Sequence, residues 1–177
     1  MSKGEMNIYS NGTYTDFFSQ GEKFLLASER CLGEKNGDTI TIMKPSGNGS
    51  IMVQLSAPAV VNASFACELF FKALLLKNNK TFPRGKDGHN LLKLYKLLPD
   101  KIREKIVNIC FKDISKENFE EILNNHADDF VEIRYFIENK GYTNMSPLMM
   151  YTLAFNLHQI TKCYFTMEKA NEQKHNS

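Results

Sequence analysis

The sequence predicts an all-α domain: an antiparallel bundle of four to five long helices, with a small β-hairpin inserted after the first. Three observations carry that prediction. Apolar residues recur at helical spacing in segment after segment. The alternating stretch that reads as strand flanks one Pro/Gly/Asn turn. No internal repeat or linker divides the 177 residues, a length that suits one ordinary domain with its own core. The domain is taken as 1–177, with its core at about 15–170. Apolar residues make up 42% and charged residues 24%, near the globular average, which excludes wholesale disorder. With 13 phenylalanines and no tryptophan, the core must be built from Phe, Leu and Ile.

The elements follow in order. "TDFFSQGEKFLLASERCL" (15–32) reads as a helix with Phe17, Phe18, Phe24, Leu25 and Leu32 as its apolar members, although Gly21 weakens it. "TITIM" and "SIMVQL" around "KPSGNGS" predict the hairpin, an extended loop being the alternative. A second helix begins near Ala57-Pro58, where proline suits a first turn, and runs through "VVNASFACELFFKALLLKN". Its stripe of Val61, Phe65, Leu69, Ala73 and Leu76 is widened by Phe70 and Leu74, so it should lie centrally.

A third helix starts at "RGKDGHN" and carries Leu91, Leu94, Tyr95 and Leu98 before Pro99 ends it. Asp100 can cap a short helix bearing Ile102, Ile106, Val107, Ile109 and Cys110. Ser115 similarly precedes "KENFEEILNNHADDFVEIRYFIEN", whose stripe is Phe119, Ile122, Leu123, Phe130, Ile133 and Ile137. Ser146-Pro147 opens the last helix, with Met149, Met150, Leu153, Leu157, Ile160 and Tyr164. The polar tail "EKANEQKHNS" is expected to fray.

Four well-separated cysteines, Cys31, Cys67, Cys110 and Cys163, form no metal-spaced pair and suit reduced, buried thiols. No signal-peptide core and no bilayer-length apolar run stand out, so a soluble, cytoplasmic chain away from membranes is expected. Net charge is only +2, but it is unevenly placed. Lys72 to Lys105 holds ten Lys/Arg against Asp87, Asp100 and Glu104, hence +7; Asp113 to Glu132 holds seven acids against Lys116, hence −6. A basic stretch of this kind attracts phosphate, although two solvated helix faces that partly neutralise one another explain it more simply.

Within the basic stretch, Arg84-Gly-Lys-Asp-Gly-His89 is the main chemical candidate. Its two glycines permit a tight turn and a close backbone approach. An anion at the start of the following helix could meet unpaired N–H groups, with help from Arg84 and Lys86. A guanidinium fork grips two phosphate oxygens, and an imidazole titrates near neutral pH. Arg84 and His89 thus suffice for metal-independent RNA cleavage through attack of the ribose 2′-OH on the adjacent phosphate, with no cofactor and no metal. Alternatively His89 caps the helix or bonds a neighbouring carboxylate, and Arg84 is a surface cation. Spacing alone favours that plainer reading.

"VNASFACELFFKALLL", "GHNLLKLYKLLP" and "FVEIRYFIEN", in that order, resemble blocks of the HEPN domain superfamily, over roughly residues 57 to 165. Its members are helical bundles, many of them metal-independent RNases in toxin–antitoxin, phage-defence or RNA-processing systems. They carry an arginine, four to six residues, then a histidine, and dimerise to bring two such motifs into one cleft. Arg84 and His89, with four residues between them, match that spacing; Gly85 stands where active members often have a polar residue. The resemblance implies a homodimer that cleaves or binds RNA or a nucleotide, with an antitoxin or other protein as a further partner. It also implies that polar residues on helix two support the Arg/His centre.

Glu68 and Lys72, at i and i+4 on that helix, are either an ordinary surface pair or such support, with Lys72 reaching substrate. In "FVEIRY", Arg134 is either a structural partner for Glu68 or a second RNA-contacting cation, and Tyr135 is a supporting residue. His126 and His158 fall on apolar stripes and read as packed, singly hydrogen-bonded side chains; His175 is in the tail. "GKDG" lacks the P-loop arrangement, and no Gly-x-Ser-x-Gly, HExxH or dinucleotide fingerprint appears. The competing function is a non-catalytic module that binds a nucleotide or protein, with Arg84 and Lys86 as affinity residues.

Overall fold

The structure, a computed structural model, describes residues 12–33, 40–43, 50–53, 55–110, 114–125 and 146–175. These form a helical fold of the expected all-α class. The helices are α1 (Tyr14–Leu32), α2 (Ser56–Lys77), α3 (Leu91–Leu97), α4 (Asp100–Cys110), α5 (Lys116–Asn125) and α6 (Pro147–His175). Between α1 and α2, β1 (Ile40–Met43) and β2 (Ser50–Val53) pair antiparallel, with Ile40 opposite Val53 and Met43 opposite Ser50.

Helix α1 starts where its sequence can satisfy the free N–H groups of a first turn. Thr13 accepts from the Asp16 backbone N–H, and the Asp16 carboxylate accepts from the Thr13 N–H at 2.8 Å. The "TYTD" at 13–16 holds this reciprocal cap. Gly21, which counted against a helix in the sequence, is required by packing: a Cβ there would come within 2.6 Å of the Phe70 ring. A glycine here costs helix propensity but lets α1 approach α2 closely.

Contacts set the directions of the long helices. Along α1, Phe18 meets Phe70, Phe24 meets Phe65, and the Ser28 hydroxyl donates to the Ala59 carbonyl at 2.8 Å. Rising numbers on α1 meet falling numbers on α2, so the two run antiparallel. Helix α6 also opposes α1, since Tyr14 packs on Phe165 while Glu22 reaches His158. Helices α2 and α6 therefore run together: Phe70 lies beside His158, and the Tyr164 hydroxyl donates to Asn78. Two neighbours pointing the same way need the long intervening chain, and the described part of it, α3 to α5, packs on this trio. Among the described residues the bundle has three long helices and three short ones.

The central position expected for α2 is observed: most of its length is buried, including Phe70, Phe71, Leu74 and Leu75. By length and apolar content α2 could cross a membrane, but 78% of its apolar window is buried in the bundle, which is what a core helix shows. Leu98 adopts an extended backbone before Pro99, ending α3. Asp100 is the first residue of α4 instead of its cap, and pairs with Arg103 one turn on. Ser146 accepts from the Met149 N–H and opens α6. The polar tail, expected to fray, continues as helix to His175; Glu, Lys, Ala and Gln there are adequate helix formers. The helix predicted from Ser115 is observed as far as Asn125, and Phe130, Ile133 and Ile137 lie outside the described residues. Lys96 on α3 meets Glu120 on α5 at 3.1 Å, a local meeting of the basic and acidic segments.

Candidate functional site

Helix α2 carries two buried charged side chains, Glu68 and Lys72, among mostly apolar neighbours. Glu68 and Lys72 are separated by about 40° around the helix axis, so they share one face. Both are buried, at 3% and 8% exposure. A buried carboxylate is costly unless each oxygen finds a partner, and here both do. Lys72 Nζ donates to Glu68 Oε1 at 2.6 Å, and His89 Nδ1 lies 3.0 Å from Glu68 Oε2. The sequence left surface pairing and support for the centre open; the pair forms, and it is turned inward against His89.

Phe82 closes the lysine side of this group. Its ring lies 5.0 Å from Lys72 Nζ and packs edge-on against Phe17 of α1. This contact fixes the chain two residues before Arg84, so the loop leaves the bundle beside the Glu68–Lys72 pair.

The two glycines of the motif have separate duties. Gly85 has φ +64° with open space around it, so it supplies the left-handed backbone the turn needs. Gly88 is buried, and a Cβ there would stand 2.4 Å from the Pro83 carbonyl oxygen. Together they make a single 3-10 turn over Gly85–Gly88, which puts His89 back over α2. Asp87 and Lys93 pair at 2.5 Å and tie this turn to α3.

Contrary to the sequence-based expectation, the motif is not the first turn of α3, and His89 does not cap it. Asn90 holds that place, its side chain accepting from the Lys93 N–H at 2.8 Å. An anion-binding helix start was expected here; α3 has only seven residues and a side-chain cap of its own. Arg84 and Lys86, the cations expected to help hold an anion, are both exposed on the turn. Neither side chain makes a hydrogen bond or ion pair with another described residue.

His89 projects partly into solvent, its side chain 42% exposed while that of Glu68 is 4% exposed. The hydrogen bond to Glu68 holds the imidazole above its ordinary pKa, against partial burial, which pulls the other way. The arrangement can hold a histidine in a fixed orientation with Nδ1 committed to a carboxylate. Exchange of a proton with a bound molecule would then run through Nε2.

Arg134, Tyr135, Glu132 and His126 lie outside the described residues, and with them the suggested Arg134–Glu68 contact. His158 is packed as expected, stacked on Phe18 with ring centres 5.3 Å apart. It is not singly bonded: Nε2 contacts Glu22 Oε1 at 2.9 Å and Nδ1 contacts Gln159 at 3.3 Å. The Glu22–His158 pair was missed, and no local spacing could have disclosed a contact across 136 residues. Cys67 and Cys110 are buried, and burial pushes both thiols upward, Cys110 to about 12; Cys31 and Cys163 are half-buried. Among the described residues, no three His, Cys, Asp or Glu side chains cluster as a metal site would require. No protein-family model matches this chain, and neither does a curated protein or a solved structure.

Proposed function

We propose that this chain is a HEPN-type helical bundle whose function is metal-independent cleavage of RNA, with His89 and Arg84 at the reacting phosphate. The observation that carries the reading is the 3.0 Å contact of His89 Nδ1 with the buried Glu68 carboxylate. A residue 21 positions away orients a half-exposed imidazole at the end of an Arg-x4-His motif. In the reaction, the 2′-oxygen closes on phosphorus while the bond from phosphorus to the 5′-oxygen breaks. As an imidazolium, His89 gives its Nε2 proton to the departing 5′-oxygen; as a neutral ring it takes the proton of the 2′-OH. The Arg84 fork neutralises charge growing on the phosphoryl oxygens, and Lys86 adds attraction for the backbone. Glu68 sets the ring's orientation through one carboxylate oxygen, and Lys72 holds the other. Arg134 and Tyr135 remain proposed contributors, as a substrate contact and a support.

The setting proposed with this activity is a cytoplasmic homodimer in a toxin–antitoxin or phage-defence system, with an antitoxin or other protein as a further partner. The purified chain, incubated with a panel of single-stranded RNAs in EDTA, should give products ending in 2′,3′-cyclic phosphate. His89→Ala should slow cleavage by about a hundredfold or more. Absence of any His89-dependent cutting across the panel overturns the enzyme.

A second reading is favoured by one observation: Arg84 and Lys86 are exposed and stand apart from the ion pairs of Glu68. They would then be affinity residues of a module that binds RNA or a nucleotide without cutting it. In that case Arg84→Ala weakens binding and flattens its salt dependence, with no cleavage to lose.

A further inference from the structure

The groove between α1 and α6 has a pattern along its length that the Glu68–His89 centre does not use. Its volume is about 250 Å³, and its walls include Glu22, Leu26 and Glu29 of α1 and Tyr151, Phe155 and His158 of α6. Because the two helices are antiparallel, each end sets an acid beside a ring. At one end Glu22 Oε1 lies 2.9 Å from His158 Nε2. At the other, Glu29 borders Tyr151: partial burial, and then the negative charge of Glu29, hold that hydroxyl above its ordinary pKa. Between the ends the surface is apolar, with Leu26 and Phe155 left 50% and 43% exposed. Two turns of α1 separate the glutamates, which puts them about 10 Å apart along the groove.

Positive charge is what this arrangement lacks. Among the described residues no Lys or Arg lines the groove; Lys23 and Arg30 lie about 100° round the helix from the adjoining glutamates. Neither glutamate forms an ion pair with a Lys or Arg among the described residues, and Glu22 has a second carboxylate oxygen to offer beside the one that meets His158. The rings of Tyr151 and Phe155, their centres 6.2 Å apart and their planes inclined by 31°, add faces that attract a cation. Acid, apolar surface, acid is the complement of ammonium, methylenes, ammonium.

We propose that this groove is a binding site for a linear aliphatic polyamine, with one terminal ammonium at Glu22, the other at Glu29 and Tyr151, and the methylene chain over Leu26 and Phe155. Length decides among such cations. At about 1.2 Å per bond, as in an extended polypeptide, the terminal nitrogens of spermidine lie about 11 Å apart and those of putrescine about 6 Å. Only the longer molecule engages both acids at once. A single metal ion does not, since carboxylates about 10 Å apart cannot share one coordination sphere. The groove is also smaller than a drug-sized pocket, which suits a slender ligand. It shares no residue with the Glu68–His89 centre, so the site goes beyond the ribonuclease reading and stands or falls apart from it.

Titration of the isotope-labelled chain with spermidine, in low salt and without RNA, tests the site by NMR. Spermidine should shift the Leu26, Tyr151 and Phe155 signals saturably. Glu29→Gln and Phe155→Ala, both at exposed positions, should keep wild-type helicity by circular dichroism and weaken binding by about fivefold or more. Lys23→Gln, outside the groove, should bind at least as tightly as wild type. Putrescine, and spermidine with one terminal amine acetylated, engage one acid at a time and should bind about fivefold or more weakly than spermidine. Equimolar magnesium chloride should leave the spermidine shifts in place. Absence of a saturable shift up to about 10 mM spermidine overturns the site, as does unchanged affinity in either Glu29→Gln or Phe155→Ala. Putrescine binding as tightly as spermidine overturns the two-ended arrangement, and displacement by equimolar magnesium overturns the site in favour of a diffuse acidic surface.

Discussion

The molecule contains two glutamate–histidine pairs of nearly equal length, 3.0 Å for Glu68–His89 and 2.9 Å for Glu22–His158. Their surroundings are opposite. In the first the carboxylate is buried and the ring outward, side-chain exposures being 4% and 42%. In the second the carboxylate is 45% exposed and the ring 13%. The difference separates what each pair can do. A buried acid holding an outward imidazole fixes a titratable group where another molecule can reach it. A buried imidazole stacked on Phe18, with an exposed acid, ties α1 to α6 and offers little to a substrate. Distance alone would rank the two pairs as equals; burial separates them.

The largest test of that contrast is removal of each acid. Glu68→Ala strands the Lys72 ammonium in the interior, and should lower unfolding free energy by about 3 kcal/mol in denaturant melts. Glu22→Ala breaks a pair whose acid is already in water and should cost less than about 1 kcal/mol. Equal losses would remove the distinction. The histidines should then reverse the order. His158→Ala opens a cavity beside Phe18 and Phe70 and should cost about 2 kcal/mol, while His89→Ala leaves Glu68 its lysine and should cost under about 1 kcal/mol. Cleavage should follow the other order, lost with His89 and kept with His158.

What the sequence disclosed and what it concealed divide along chain separation. The caps at Ser115 and Ser146, the pairing of Glu68 with Lys72 and the tight turn at Gly85–Gly88 are all local, and spacing reveals them; the α2 stripe is observed only in part, since Val61, Phe65 and Leu76 are half-buried while Phe71 and Leu75 outside it are buried. Gly21 misled because its reason is the Phe70 ring, 49 residues on. His89 could be read only as a cap or as a partner for some carboxylate, because nothing near it in sequence says that Glu68 is opposite. The same holds for Phe82 over Lys72. Helical periodicity says which face is buried but not which way a helix points, so the common direction of α2 and α6 is visible only in contacts such as Phe70 with His158.

The smallest effect is also the most specific to the first pair. Hydrogen bonding to Glu68 raises the His89 pKa above the ordinary 6.5, so the folded state binds the imidazole proton more tightly than the unfolded chain does. The stabilisation is therefore fully present below about pH 6.5 and is lost as pH rises through the higher folded value. Wild type should lose stability relative to His89→Gln across that interval, by less than either acid substitution changes it, because the ring is partly in water. Titration of the His89 ring protons by NMR should place its midpoint above the ordinary value in the wild type and return it toward that value in Glu68→Gln, which retains the shape but not the charge. Should the midpoint stay put when Glu68 loses its charge, the carboxylate is not what holds the proton, and the contrast between the two pairs reduces to one of exposure.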